Sequence, residues 1–233
     1  TKVKSKSKIE EFDGIYLNAQ TESLANGRKN IDEIDCSTRT SMLNQIAECT
    51  TKPILFDESS CSNNNKFKVI IRTLERLGVS AVILGNNQKV NNDKILQNGI
   101  NLNYVELLTQ KIQTVVQTRF SKNFLAIPKV DLNGSVKGSK KYIDEAMCYI
   151  NAGANGIMIH AKRPLIEEIT DFSVQYNKLR RRVPLIISLS HQDEGILKLC
   201  QTNNDIKVIV YANCLFRASC SAMEETVKSL LAN

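Results

Sequence analysis

Short apolar runs recur along the chain, each followed by a longer stretch in which apolar residues return every three or four positions. The first pattern fits strands and the second fits helices, so the order reads as successive βα units around a parallel sheet. Seven strands are predicted: Gly14–Leu17, Pro53–Phe56, Ser80–Leu84, Phe124–Ile127, Gly156–Ile159, Pro184–Leu189 and Lys207–Tyr211. Between them, Phe67–Gly78 carries Val69, Ile70, Leu74 and Leu77 on one stripe and stops at a glycine, as a helix with a left-handed cap would. Tyr142–Ala152 stops before Gly153 in the same way. Residues 88–103 lack a clear period and read as a long loop, followed by a helix over Val105–Val116.

Seven such units fit an open doubly wound sheet or an eight-stranded barrel short of its first strand, and periodicity does not choose between them. In both, ligands meet the carboxyl ends of the strands. Those ends carry Asn18, Asp57 with Glu58, Gly85, Lys129, His160, Ser188 with Ser190, and Asn213. Only one end offers carboxylates. A Mg²⁺ site normally uses one or two carboxylates with waters and substrate oxygens, so Asp57 could anchor a weak site and not a well-built one.

With 233 residues, 42% of them hydrophobic, the chain reads as one domain over 1–233 with a single sizeable core. No apolar run reaches the roughly 20 residues of a membrane span, and Thr1–Lys8 lacks the apolar centre of a secretory signal. Membrane insertion is therefore not expected. The seven cysteines are odd in number and scattered, which points to free thiols in a reducing intracellular compartment, cytoplasm or organelle matrix, and away from cysteine-bound metal. The net charge of +7 comes from dispersed lysines and two local runs, Lys2/Lys4/Lys6/Lys8 and Arg180–Arg182. With 6% aromatic residues, no Trp and no recognisable motif, the composition argues against nucleic acid as a partner.

Three stretches resemble the phosphoenolpyruvate mutase and isocitrate lyase superfamily: Arg72-Thr-Leu-Glu-Arg-Leu-Gly-Val-Ser-Ala-Val-Ile83, Ala152-Gly-Ala-Asn-Gly-Ile-Met-Ile-His160, and Val208-Ile-Val-Tyr-Ala-Asn-Cys-Leu-Phe-Arg-Ala-Ser219. Phe12–Tyr16 and Thr51–Asp57 extend the likeness, in the family's order, over nearly the whole chain. The resemblance implies a (β/α)₈ TIM-type barrel whose first strand would lie upstream of Thr1. It also implies that the carboxy-terminal helix which neighbouring subunits exchange would begin where this chain stops. Either an open seam or a foreign segment is then expected between the first and last strands.

The same resemblance shows what has changed at the strand ends. The family's Asp-Ala-Asp-Thr-Gly run reads Asp57-Glu-Ser-Ser-Cys61, so Ser59 stands for the second metal-side aspartate. Its Glu-Asp-Lys run reads Gly85-Asn-Asn87, the Lys-Asn-Ser run of its gating loop reads Asn92-Asp-Lys94, and Ala-Arg-Xaa-Glu reads Pro128-Lys-Val-Asp131. Lys129 is a partial substitute, because an ammonium lacks the planar fork of guanidinium. Glu22 takes the place of a catalytic aspartate, and Leu189-Ser190 that of a Pro-Thr pair. By this likeness Glu22, Lys129 and His160 are catalytic candidates, Asn18, Asn213 and Arg217 substrate-binding candidates, and Asp57 a weak or lost Mg²⁺ ligand. Plainer roles compete: Asp57 capping a turn, His160 as a satisfied, partly buried side chain, Asn213 and Arg217 holding the last loop. Two functions follow as expectations. One is a catalytically degenerate relative kept as a scaffold or subunit of a homo-oligomer or larger assembly, with no cofactor or only weakly bound Mg²⁺. The other is an active Mg²⁺-dependent phosphoenolpyruvate/phosphonopyruvate mutase or carbon–carbon lyase acting on a small anion.

Overall fold

The structure, a computed structural model, describes residues 2–4, 9–28, 34–58, 64–85, 102–132, 139–161, 166–189 and 193–232. A short antiparallel pair comes first, β1 (Lys2–Lys4) on β2 (Ile9–Glu11), with Lys2 opposite Glu11. The sequence reading lacks this pair, since three-residue strands are too short to show a period. Seven parallel strands follow: β3 (Ile15–Leu17), β4 (Ile54–Asp57), β5 (Ala81–Leu84), β6 (Leu125–Leu132), β7 (Ile157–Ala161), β8 (Leu185–Leu189) and β9 (Ile206–Tyr211). They are neighbours in strict chain order, as consecutive right-handed βα units require.

Each strand overlaps the expected one, and β6 differs most because it runs on to Leu132. Pro128 explains the misreading. Its missing N–H suggests a strand end, yet it stands where the two pairings of β6 change over: it is the last residue registered with β5, opposite Leu84, while the pairing with β7 begins at Lys129 opposite Met158. Lys129 therefore lies within a strand.

The helices are α1 (Ala19–Ala25), α2 (Cys36–Cys49), α3 (Asn64–Arg76), α4 (Leu102–Thr118), α5 (Ser139–Ala152), α6 (Ile166–Tyr176), α7 (Glu194–Thr202) and α8 (Cys214–Leu231). Helices α3, α4 and α5 each begin three residues earlier than apolar spacing predicts; the added residues of α3, Asn64-Asn65-Lys66, and of α5, Ser139-Lys140-Lys141, are all polar. Alternation within strands separates two cores. Ala81 and Ile83 of β5 face inward with Ile127, Met158, Ile186 and Val210, filling the barrel. Val82 and Leu84 face outward against α3 and α4, where Leu74, Leu108 and Ile112 are fully buried.

The described strands form a nearly closed TIM-type sheet with β3 and β9 as its two edges. A groove of about 710 Å³ is lined by both, from Ile15 and Tyr16 on one side to Val208 and Tyr211 on the other. The expected open seam is present among the described residues. Helix α8 leaves this seam with no buried residue.

Candidate active site

Because all seven strands are parallel, Asn18, Asp57, Gly85, Lys129, His160 and Asn213 share the carboxyl end of the sheet. Of these, Asp57 and Lys129 are joined directly. The Asp57 Oδ2 accepts from Tyr16 OH at 2.9 Å and from Lys129 Nζ at 2.7 Å, and its side chain is almost wholly buried. Burial first, then the neighbouring Asp57 carboxylate, hold the Tyr16 phenol well above its ordinary pKa, so Tyr16 remains a donor.

A second pair lies beside the first. Asp35 caps α2, its Oδ1 accepting from Thr38 N at 2.7 Å, and this bond to the backbone keeps its carboxyl below the usual range. The cap fixes the first turn so that Arg39 points under the barrel mouth, fully buried. Its Nε and Nη2 both donate to Glu22 Oε2, at 2.8 and 2.5 Å, and its Nη1 donates to the Asp57 carbonyl at 2.5 Å. The guanidinium stacks over Phe56 at 4.1 Å. Burial pushes the Glu22 carboxyl up, against the pull of Arg39. A third buried pair joins Lys111 Nζ to both oxygens of Glu58, at 3.1 and 2.9 Å.

Asn18 caps α1 by accepting from Gln20 N at 2.9 Å and Thr21 N at 3.1 Å. Thr21 Oγ1 in turn donates to Asn213 Oδ1, which ties α1 to the start of α8. A cavity of about 200 Å³ lies here, lined by Asn18, Thr21, Glu22 and Asn213 with Tyr16 and Leu215. The structure thus brings Glu22, Asn18 and Asn213 to one cavity and Lys129 to Asp57. It does not bring Arg217 to either: that side chain is exposed on α8, with only its backbone N–H reaching the Asn213 carbonyl. His160 is half-buried on β7, registered with Asp131 and Ser188. Ser59, Asn86, Asn87, residues 92–94 and Ser190 lie outside the described residues.

The sequence reading missed Arg39, Glu58 as an ion-pair partner, Lys111, Tyr16 and Thr21. Arg39 had a signal: it falls one turn before Leu43 on the buried face of α2. Its partner Glu22 is 17 positions away, a relation no local spacing displays.

The donor set that the described residues present does not fit Mg²⁺. Among the described residues no group of three or more His, Cys, Asp or Glu side chains could hold a metal ion. Asp57 Oδ2 and both Glu58 oxygens are already bonded to ammonium groups, and a hard dication placed there would meet Lys129 and Arg39 as like charges. Among the described residues no helix is long and apolar enough to cross a membrane.

Residues 3–231 match the family described as phosphoenolpyruvate phosphomutase. The phosphoenolpyruvate phosphomutase of Tetrahymena pyriformis is 24% identical over 221 residues, covering 94% of this chain and 72% of that one. The phosphonopyruvate hydrolase of Variovorax sp. (strain Pal2) is 22% identical over 222 residues, covering 92% and 73%. Among solved structures, a phosphoenolpyruvate phosphomutase from Streptomyces platensis subsp. rosaceus superposes with a TM-score of 0.76 at 21% identity, over 95% of this chain and 76% of that one. A phosphonopyruvate hydrolase complexed with oxalate and Mg²⁺ gives 0.73 at 20% identity, over 95% and 75%. The fold and a family match spanning nearly every residue agree: the chain belongs to the phosphoenolpyruvate phosphomutase family, within the phosphoenolpyruvate mutase and isocitrate lyase superfamily.

Proposed function

We propose that this chain is a catalytically degenerate member of its family, kept as a subunit of an assembly. The observation that carries the reading is the internal use of Asp57, whose Oδ2 is held by Lys129 and Tyr16. Phosphoryl transfer and enolate chemistry gain most of their rate from preorganised charge facing the reacting oxygens. Here the cations face the protein's own carboxylates, Lys129 to Asp57 and Arg39 to Glu22. The substitutions at Ser59 and Gly85 remove two further carboxylates relative to the family pattern.

Calorimetry with Mg²⁺ and oxalate, the pair bound in the phosphonopyruvate hydrolase structure, should give no heat of binding at millimolar concentrations. A coupled assay should detect no conversion of phosphonopyruvate or phosphoenolpyruvate. Metal-dependent turnover would overturn the proposal and favour the second reading, a Mg²⁺-dependent mutase or lyase acting on a small 2-oxo or hydroxy acid. The names of the relatives and the buried Glu22, whose raised pKa suits an acid or base, are what support that alternative.

The partner we propose is a second copy of the chain. Helix α8 has 18 residues, none buried, and exposes Met223, Val227, Leu230 and Leu231 at a spacing that forms one stripe. Most helical stability in proteins comes from packing an amphipathic face, and the stripe is where a neighbour's apolar surface would pack.

A further inference from the structure

The amino-terminal end of the barrel, opposite the candidate site, carries charge that no ion pair absorbs. Each of the seven loops that lead into β3 to β9 at that end is among the described residues. Between β5 and β8 it presents Arg72 and Arg76 from the second half of α3, Lys122 from the loop before β6, and Lys178, Arg180 and Arg181 from the segment before β8. All six are exposed, and none belongs to an ion pair among the described residues. The nearby carboxylates are engaged: Asp205 with Arg182 at 3.0 Å, and Glu75 with two backbone N–H groups. Asp13 and Glu48 lie on the β3 side, so the excess of positive charge is local.

A large apolar ring stands among these cations. Phe120 is 67% exposed, yet its loop is pinned from both sides. Glu75 accepts from Phe120 N at 2.8 Å and from Ser121 N at 2.7 Å, while Arg119 Nη1 donates to the Phe124 carbonyl at 2.6 Å and to Asn155 Oδ1 at 2.9 Å. The Arg72 guanidinium lies over the ring at 5.6 Å, and Val69, one turn back on α3, is 66% exposed. An aromatic side chain held outward by four hydrogen bonds and flanked by arginine has the form of an anchor.

Topology selects the partner. Strands β5 to β8 each have neighbours on both sides, so no backbone edge is open here to an extended peptide. The cations come from three separate elements around the rim, spread over roughly 14 Å by strand spacing alone. They do not form the stripe along one element that a nucleic-acid groove would follow. A broad array of cations around a protruding ring matches a flat anionic surface, where headgroup charge attracts basic residues and an aromatic side chain settles at the boundary with the acyl chains. We propose that this end of the barrel docks peripherally on an anionic lipid surface, with Phe120 as the wedge. The candidate site then faces away from the bilayer. This inference is separate from the one drawn from Asp57, whose test with Mg²⁺ and oxalate probes the opposite end.

The test is co-sedimentation of the full chain with phosphatidylcholine vesicles, alone or with about one-third phosphatidylserine. Binding at least tenfold stronger to the phosphatidylserine vesicles is expected at about 0.1 M salt, and its loss at about 1 M, where the screening length falls to about 3 Å. Arg180→Glu with Arg181→Glu should weaken binding at least tenfold. Lys66→Glu with Lys140→Glu makes the same change in net charge at exposed positions in the first turns of α3 and α5, at the other end of the barrel, and should leave binding intact. Phe120→Ser should weaken it at least threefold while the salt dependence stays. Equal binding to phosphatidylcholine alone, equal loss in the Lys66 and Lys140 control, or capture by polyglutamate or duplex DNA without vesicle binding would overturn the proposal. Unchanged binding in Phe120→Ser would remove the wedge.

Discussion

Buried ionisable groups that have found partners carry most of the information at the level of single residues. Arg39 stabilises Glu22 and the Asp57 carbonyl together, and removing it would leave a carboxylate in a nearly dry site. Glu145 on α5 is a different case. It is buried, with its Oε1 accepting from Tyr149 OH at 2.7 Å and Asp131 near; that hydrogen bond and, less, Lys141 favour the ionised carboxylate. Burial first, and Asp131 less, push its carboxyl from 4.5 to about 7. A raised folded-state pKa on an acid means that the stabilisation is full below the unfolded value and is lost as pH climbs from 4.5 to about 7. The loss is on the order of 3 kcal/mol. Glu145→Gln keeps an acceptor for Tyr149 and cannot ionise. Urea unfolding should therefore show it more stable than the parent at pH 8 and nearly equal at pH 4.5; an unchanged difference between the two pH values would remove the carboxyl as the cause.

Elements end where particular residues let them. Helix α3 closes through Gly78 at φ 81°, with Val79 N bonded to the Leu74 carbonyl and Gly78 N to that of Glu75, both at 3.1 Å. Helix α5 repeats the arrangement at Gly153, φ 102°. A Cβ at Gly78 would meet nothing within 4 Å, whereas at Gly153 it would meet Val116 Cγ2 at 3.3 Å. Gly78→Ala should then cost about 1–2 kcal/mol from backbone strain alone. Gly153→Ala should cost more, by the price of displacing Val116. Equal losses in urea midpoint, with unchanged slope, would show that Val116 yields freely. Both glycine stops were readable in the sequence because a C-cap needs only local chemistry. Helix starts were not, since polar first turns such as Asn64-Asn65-Lys66 interrupt the apolar period.

For the whole molecule, the two edges and the bare last helix decide how it behaves in solution. If a second copy covers α8, sedimentation should show an oligomer that Val227→Glu with Leu230→Glu converts to a folded monomer; a monomeric parent would end that reading. The sequence alone determined the order of seven strands and two of the helix stops, because short apolar runs, helical spacing and cap glycines are set by neighbours in the chain. Which strand residues face the barrel interior was decided by the fold. The sequence also placed Asn18, Asp57, Gly85, Lys129, His160 and Asn213 at one end, since parallel βα order forces their strand ends together. Tertiary structure decided which of them touch. Lys129 meets Asp57 across 72 positions, Lys111 meets Glu58 across 53, and Thr21 meets Asn213 across 192. Such pairs arise only when the sheet curls and brings the mouths of distant βα units within hydrogen-bond reach, which no spacing along the chain encodes.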